Sequence, residues 1–286
     1  MKKKILITGA NGYIGSHLVN ALCERHSDEY EITATDICDS NIDKRANIVV
    51  CDLLKEAYSS DLYVKMGRPD ICVYLAWQDG FDHNAESHME NLYLHFRFIK
   101  NLIDAGTTHF VVAGSFREYG TFAGKADENL DMPACNYYVL AKKTLHNAID
   151  IYIKDKNVCL QWIRPFTVYG DDELNNSIMS KILIWDKEGK QSFPFTEGNE
   201  EYDYIEVNEL AEQIIAIASQ TQVQGTINCC SGKPTRLKDK INEFIESNHL
   251  RIKPDFGKYK ARSYDSGVIY GDRKKLDIVL KNTNNK

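Results

Sequence analysis

The sequence has no apolar run near the ~18 residues that would cross a bilayer, so no membrane-spanning helix is expected. Met1-Lys2-Lys3-Lys4 carries the charge of a signal-peptide start, but the apolar run behind it is too short and turns to glycine. A cytoplasmic protein is expected. No C-x-x-C occurs among the eight cysteines (Cys23, Cys38, Cys51, Cys72, Cys135, Cys159, Cys229 and Cys230), and the adjacent Cys229-Cys230 pair has no histidine at metal spacing. Free thiols, several of them buried, are expected and no metal. His83, His88 and His95 do not all fall on one helical face. Basic residues are not in excess: Lys and Arg number 35 against 41 Asp and Glu, a net charge of −6, which argues against nucleic acid as main partner. What is present is ordinary for a globular chain, 43% apolar and 27% charged. At 286 residues it can bury a real core, as one domain or a closely joined pair.

The chain is organised around its start. Ile5, Leu6 and Ile7 make an apolar run the length of a buried strand. Gly9-Ala10-Asn11-Gly12-Tyr13-Ile14-Gly15 follows, a G-x-x-G-x-x-G turn, and Ile14, Leu18 and Leu22 resume at helical spacing. Strand, glycine turn and helix together suit a dinucleotide: the turn admits a pyrophosphate and the helix start supplies N–H groups. A second strand over 31–36 ends in Asp36, placed to bond the adenosine ribose hydroxyls.

Strand-like and helix-like stretches alternate to about residue 164. Strands are expected at 4–8, 31–36, 47–51, 71–76, 109–114 and 158–163, and helices at 13–25, 54–65, 84–105 and 136–154. This pattern predicts an α/β fold, a doubly wound parallel sheet whose ligands lie beyond the C-terminal strand ends. The residues just past those ends then become informative. Asp52 and Leu53 fit an adenine contact, with a helix N-cap as the other reading of Asp52. Leu75, Ala76 and Trp77 follow the fourth strand, and Ser115 the fifth. Asn91 interrupts the long helix with a poor helix former, read as a hydrogen bond inward or as a surface residue. Residues 121–135 read as a loop over the site. Tyr138 and Lys142, four apart, share one face of the next helix.

Taken together, TGANGYIGSHL (8–18), Asp36, CDL (51–53), LAW (75–77), Asn91, GSFREYG (114–120), YVLAK (138–142), RPFTVYG (164–170), YDYIEVNELA (202–211) and GTINCCSGKPTRL (225–237) resemble the extended short-chain dehydrogenases/reductases, in the branch of nucleotide-sugar epimerases, dehydratases and reductases. The resemblance implies a Rossmann domain (1–164) holding NAD(P) and a smaller C-terminal α/β substrate region (165–286) interleaved with it, its helices near 175–187, 207–219 and 235–247. It implies Ser115, Tyr138 and Lys142 as the catalytic set. The cofactor contacts it implies are Gly9, Asn11, Gly12, Tyr13, Ile14, Gly15, Asp36, Asp52, Leu53, Leu75, Ala76, Trp77 and Asn91, with Tyr138 and Lys142. A nucleotide-activated sugar would meet Phe116, Arg117, Thr167 and Arg262, the last as a diphosphate clamp. A homodimer through helices 84–105 and 136–154 is a further implication.

Within that resemblance, departures narrow the chemistry. Phe116 and Arg117 stand where dehydratases carry an Asp-Glu pair, so loss of water is not expected. Thr167 replaces an asparagine of the family, and Ala141 the serine before the lysine. Tyr138 would be the acid/base, Lys142 would favour its ionised form, and Ser115 would orient the reacting oxygen. Asp36 repels a 2′-phosphate and favours NAD, with NADP left open by Lys44 and Arg45. An NAD-dependent epimerase working through a transient keto-sugar is the leading expectation. An NAD(P)H-dependent reductase of 4-keto-6-deoxy sugars and a non-catalytic dinucleotide sensor are the alternatives.

Overall fold

A computed structural model describes residues 2–175, 177–260 and 267–284. The chain opens as expected: strand β1 (Lys3–Thr8), helix α1 (Tyr13–Arg25), β2 (Tyr30–Asp36) and β3 (Asn47–Val50). The helix expected over 54–65 is instead two single turns, α2 (Leu53–Glu56) and α3 (Leu62–Lys65). The amide of Asn101 donates to the carbonyls of Ala57 and Ser59, at 3.3 and 2.8 Å, and so takes acceptors that a continuous helix would use.

After β4 (Ile71–Tyr74), the helix expected over 84–105 is also divided, into α4 (Ser87–Glu90) and α5 (Leu92–Ala105) with Asn91 between them. The helix starts only at Ser87, and ahead of it His88 Nε2 donates to Asp82 O at 2.8 Å and the Tyr138 N–H to His83 O at 3.0 Å. Next come β5 (His109–Ala113), a short 3-10 turn (Phe116–Tyr119), and β6 (Gly124–Ala126), which lies within the expected loop. Helix α6 (Tyr137–Ile153) starts where Asn136 Oδ1 accepts from Val139 N at 2.9 Å. It is followed by β7 (Cys159–Pro165) and β8 (Thr167–Tyr169). The remainder is α7 (Ile178–Lys187), β9 (Ser192–Pro194), β10 (Glu201–Glu206), α8 (Val207–Ala218), β11 (Gly225–Cys229), β12 (Pro234–Arg236), α9 (Leu237–Ser247), β13 (Lys253–Asp255), β14 (Val268–Gly271) and α10 (Lys274–Asn284).

Seven strands form a parallel sheet in the order β11-β7-β5-β4-β1-β2-β3. Both of its faces are covered, which is why its strands read as unbroken apolar runs. Ile5 and Ile7 of β1 join the core beneath α1, α8 and α10, whereas Leu6, pointing the other way, joins the core beneath α5 and α6. A second sheet runs β12-β10-β14-β6, with β8 beside β10, and β9 pairs with β13. The chain crosses between these layers more than once. β11 and α8 return to the large sheet from beyond residue 200, and β6 joins the small sheet from the first half. The carboxyl ends of β1, β2, β4 and β5 lie along one edge of the large sheet, and that edge carries Gly9, Asp36, Leu75 and Ser115.

Candidate active site

Backbone proximity builds the glycine turn. Gly9 has φ +67°, and a Cβ there would lie 2.7 Å from Ala76 N; a Cβ on Gly15 would lie 2.1 Å from Gly9 O. Neither space admits a side chain. Thr8 Oγ1 accepts from Leu75 N and Ala76 N at 3.2 and 3.3 Å, which clamps the exit of β4 to the turn. Gly12 is the N-cap of the 13-residue α1 and offers no side chain to occupy its first N–H groups. The turn, those donors and the close backbone form a cradle that fits a pyrophosphate. Tyr13 points elsewhere: its hydroxyl is buried against Gly170, and burial together with Asp172 pushes its pKa upward. Ile14 packs on the core.

At the end of β2 the two Asp36 oxygens accept from Asn11 N (3.0 Å) and Ile37 N (2.7 Å), which fixes the carboxylate beside the glycine turn. Asn11 Oδ1 in turn accepts from Asn41 N at 2.7 Å. Lys44 is paired with Asp39 at 2.6 Å, and Arg45 Nε with Asp43 at 3.0 Å. Their charges are therefore held by local carboxylates beside Asp36, an acidic setting that suits unphosphorylated ribose. Asp52 caps α2, accepting from Leu54 N at 3.1 Å, and Leu53 is buried in the core. Asn91 Nδ2 donates to Gln78 Oε1 at 3.3 Å, next to Trp77 in sequence.

The three residues expected to do chemistry meet at the ends of β5 and α6. Ser115 is buried and lies beside the partly buried Tyr138, close enough for its hydroxyl to pull the phenol's pKa down. Its Oγ accepts from Arg117 N at 3.2 Å, so its own proton is free to be donated to the phenol oxygen. Burial pushes Tyr138 up to about 12, against the downward pull of Ser115. Lys142 is 3% exposed, donates to Ala113 O at 2.7 Å, and lies 5.8 Å from the Tyr138 ring centre. Burial lowers its pKa to about 7, with Glu118 pulling the other way.

Glu118 went unnoticed in the sequence. It is 1% exposed and accepts from Ser115 N (2.8 Å), Trp162 Nε1 (3.1 Å) and Arg164 Nε (3.1 Å). The Ser115-x-x-Glu118 spacing of a capping box was the available signal. Also unforeseen, His83, His88 and His95 converge on Tyr138 and Trp77, although no metal-holding cluster occurs among the described residues. Phe116 stacks on Phe166 at 5.4 Å, with the Arg117 guanidinium 5.2 Å from the Phe116 ring centre. Thr167 is half-buried in β8. Arg262 lies outside the described residues.

A parallel sheet with a glycine cradle, a carboxylate at the end of its second strand and a Ser–Tyr–Lys cluster defines an extended short-chain dehydrogenase/reductase. The model of the NAD-dependent epimerase/dehydratase family matches residues 5–230, and the chain belongs to that family. It is an enzyme of the family, and its cofactor is NAD. The chain is 35% identical over 269 residues to dTDP-6-deoxy-L-talose 4-dehydrogenase (NAD(+)) of Aggregatibacter actinomycetemcomitans, covering 93% of this chain and 98% of that protein. Among solved structures, UDP-N-acetylglucosamine 4-epimerase from Methanobrevibacter ruminantium M1, in complex with UDP-N-acetylmuramic acid, superposes with a TM-score of 0.80 at 21% identity over 98% of this chain and 92% of that one. UDP-glucuronic acid 4-epimerase from Bacillus cereus, in complex with UDP-glucuronic acid and NAD, gives 0.78 at 20% identity over 97% and 93%.

Proposed function

We propose that the protein is an NAD-dependent oxidoreductase acting at C4 of a 6-deoxy sugar carried on a nucleoside diphosphate, interconverting a hydroxyl and a ketone. The observation that carries this reading is the meeting of Ser115, Tyr138 and Lys142, with Lys142 Nζ 5.8 Å from the Tyr138 ring centre and bonded to Ala113 O at the same strand end as Ser115. Similarity across nearly the whole of a 6-deoxy-L-talose 4-dehydrogenase directs that chemistry to C4 and to a 6-deoxy sugar. Phe116, next to Ser115 in the chain and stacked on Phe166, favours a methyl group over a polar one.

When bound, NAD supplies the acceptor and donor of hydride. Tyr138 Oη takes the proton of the reacting hydroxyl or returns it, while Ser115 Oγ orients that oxygen. To act as a base near neutrality, a phenol at about 12 needs roughly 5–7 kcal/mol of differential stabilisation. An ammonium at the observed 5.8 Å contributes about 3 kcal/mol at an effective dielectric of ~20. The pull of Ser115 is already contained in the value of about 12. Lys142 therefore meets about half of the need, and the positive charge of the oxidised nicotinamide would add to it when bound. The Asn11, Gly12 and Gly15 backbone and Asp36 would bind the cofactor, and Phe116, Arg117, Thr167 and Arg262 the sugar nucleotide.

Epimerisation is the second reading, favoured by the fold shared with 4-epimerases; it uses the same residues twice. Assay of dTDP-6-deoxy-hexoses with NAD separates the two. Stoichiometric NADH and a 4-keto product support the oxidoreductase, whereas inversion at C4 with no net NADH supports the epimerase. Tyr138→Phe should lower kcat by a thousandfold or more with NAD affinity kept; unchanged turnover would remove Tyr138 from the chemistry. The exposed Tyr93, Tyr137, Leu140 and Ile151 of α5 and α6 suit a homodimer through these helices, which sedimentation velocity tests.

A further inference from the structure

Trp77 connects His88 and His95 to the Tyr138–Lys142 pair. Lys142 Nζ lies 3.8 Å from the centre of the indole ring. His95 stacks on that ring at 4.4 Å with an interplanar angle of 10°. Trp77 Nε1 donates to His88 Nδ1 at 3.1 Å, and His88 Nε2 donates to Asp82 O at 2.8 Å. This pair of bonds admits only the neutral Nε2–H tautomer of His88. The indole also meets Tyr138 edge-on, at 6.2 Å and 90°.

We propose that Trp77 is a positioning residue: its ring face holds the Lys142 ammonium beside Tyr138, and His88 and His95 hold the ring. The inference rests on the reading of Tyr138 as acid/base. The aromatic face attracts a cation and gives nothing to a neutral amine, so it acts on the charge of Lys142. Other groups facing Lys142 are the Ala113 carbonyl from β5, Glu118 from the 3-10 turn with its partner Arg164 from β7, Tyr138 on α6, His88 on α4 and His95 on α5. Arg117 acts on Tyr138. Burial and the Lys142 charge lower His95 to about 3, so it is a neutral spacer at working pH.

Tyr138 and Lys142 titrate as a pair. Once the pair has lost one proton, the remaining proton sits either on Lys142, leaving a phenolate, or on Tyr138, leaving a neutral amine. Only the first form is a base at Oη. Weakening the cation's hold depletes that form at high pH. It leaves the acid limb untouched, where abundance depends on Tyr138 alone.

The test compares Trp77→Leu and Trp77→Phe with wild type, each loaded with NAD. Acetylation of Lys142 by acetic anhydride, followed by mass spectrometry against pH, reads the lysine directly. Trp77→Leu is expected to lower its apparent pKa by about 1 and to lower kcat/KM for oxidation about tenfold more on the alkaline plateau than on the acid limb. Trp77→Phe, which keeps a ring face, should stay within about threefold of wild type. In a Lys142→Met background, Trp77→Leu should no longer lower the plateau relative to the acid limb. A labelling curve unmoved by Trp77→Leu, or a loss of equal size at every pH, would overturn the proposal. Should Trp77→Leu melt early, uniform 5-fluorotryptophan weakens the ring's attraction without changing its shape, and an unmoved Lys142 curve there overturns it equally. A wild-type chain that oxidises no 6-deoxy sugar nucleotide would discard the substrate assignment, while the labelling would still decide on Trp77.

Discussion

At the scale of residues, the proposed chemistry turns on one proton shared between Tyr138 and Lys142. Burial brings the lysine to about 7. Below that pH both groups are protonated and the pair cannot accept a proton; above it, one base equivalent is available. Oxidation should therefore fall about tenfold per pH unit below about 7, read as the acid limb of kcat/KM. Lys142→Met should lower the rate at pH 7 about a hundredfold and move that limb toward the alkaline side, since the roughly 3 kcal/mol of ammonium support is gone. The set Ser115, Tyr138 and Lys142 was legible because two of its members lie on one helix face and the third at a strand end. Trp77 and Glu118 were not legible in these roles. Their partners, His88, His95, Lys142, Trp162 and Arg164, are joined to them by tertiary contacts that no local spacing encodes. Glu118→Ala would leave Arg164 buried without its carboxylate, and should cost about 3–5 kcal/mol in a denaturant melt.

At the scale of elements, the parallel strands were readable from apolar runs and the glycine turn from its spacing. Strands of three residues, such as β6, β8, β9 and β12, give no periodic signal, and a sheet made of them is defined only by pairing at a distance. The first divided helix was misread for a related reason: the side chain of Asn101, from another element, takes the carbonyls that helical continuity needs. Helix α6 holds both Tyr138 and Lys142, and Asn136 fixes where it starts. Asn136→Ala should lower stability by about 1 kcal/mol, a fall of about 2–4 °C in Tm by differential scanning calorimetry.

At the scale of the whole molecule, the large sheet is complete only with material from the second half of the chain. α8 lays Leu210 and Ile214 into the core shared with Leu18 and Leu22 of α1, and β11 covers the edge of β7. A fragment of residues 1–164 should therefore lack a cooperative melt and run as aggregate in size-exclusion chromatography, although it contains the glycine turn and all three catalytic candidates. The same topology sets a timetable for synthesis. Strand β7 is finished at Pro165, but its partner ends only at Cys229. At ~5–20 residues per second, the nascent chain carries an open parallel edge for roughly 3–13 s. During that interval a chaperone, or a neighbouring nascent copy, has the first opportunity to bind β7.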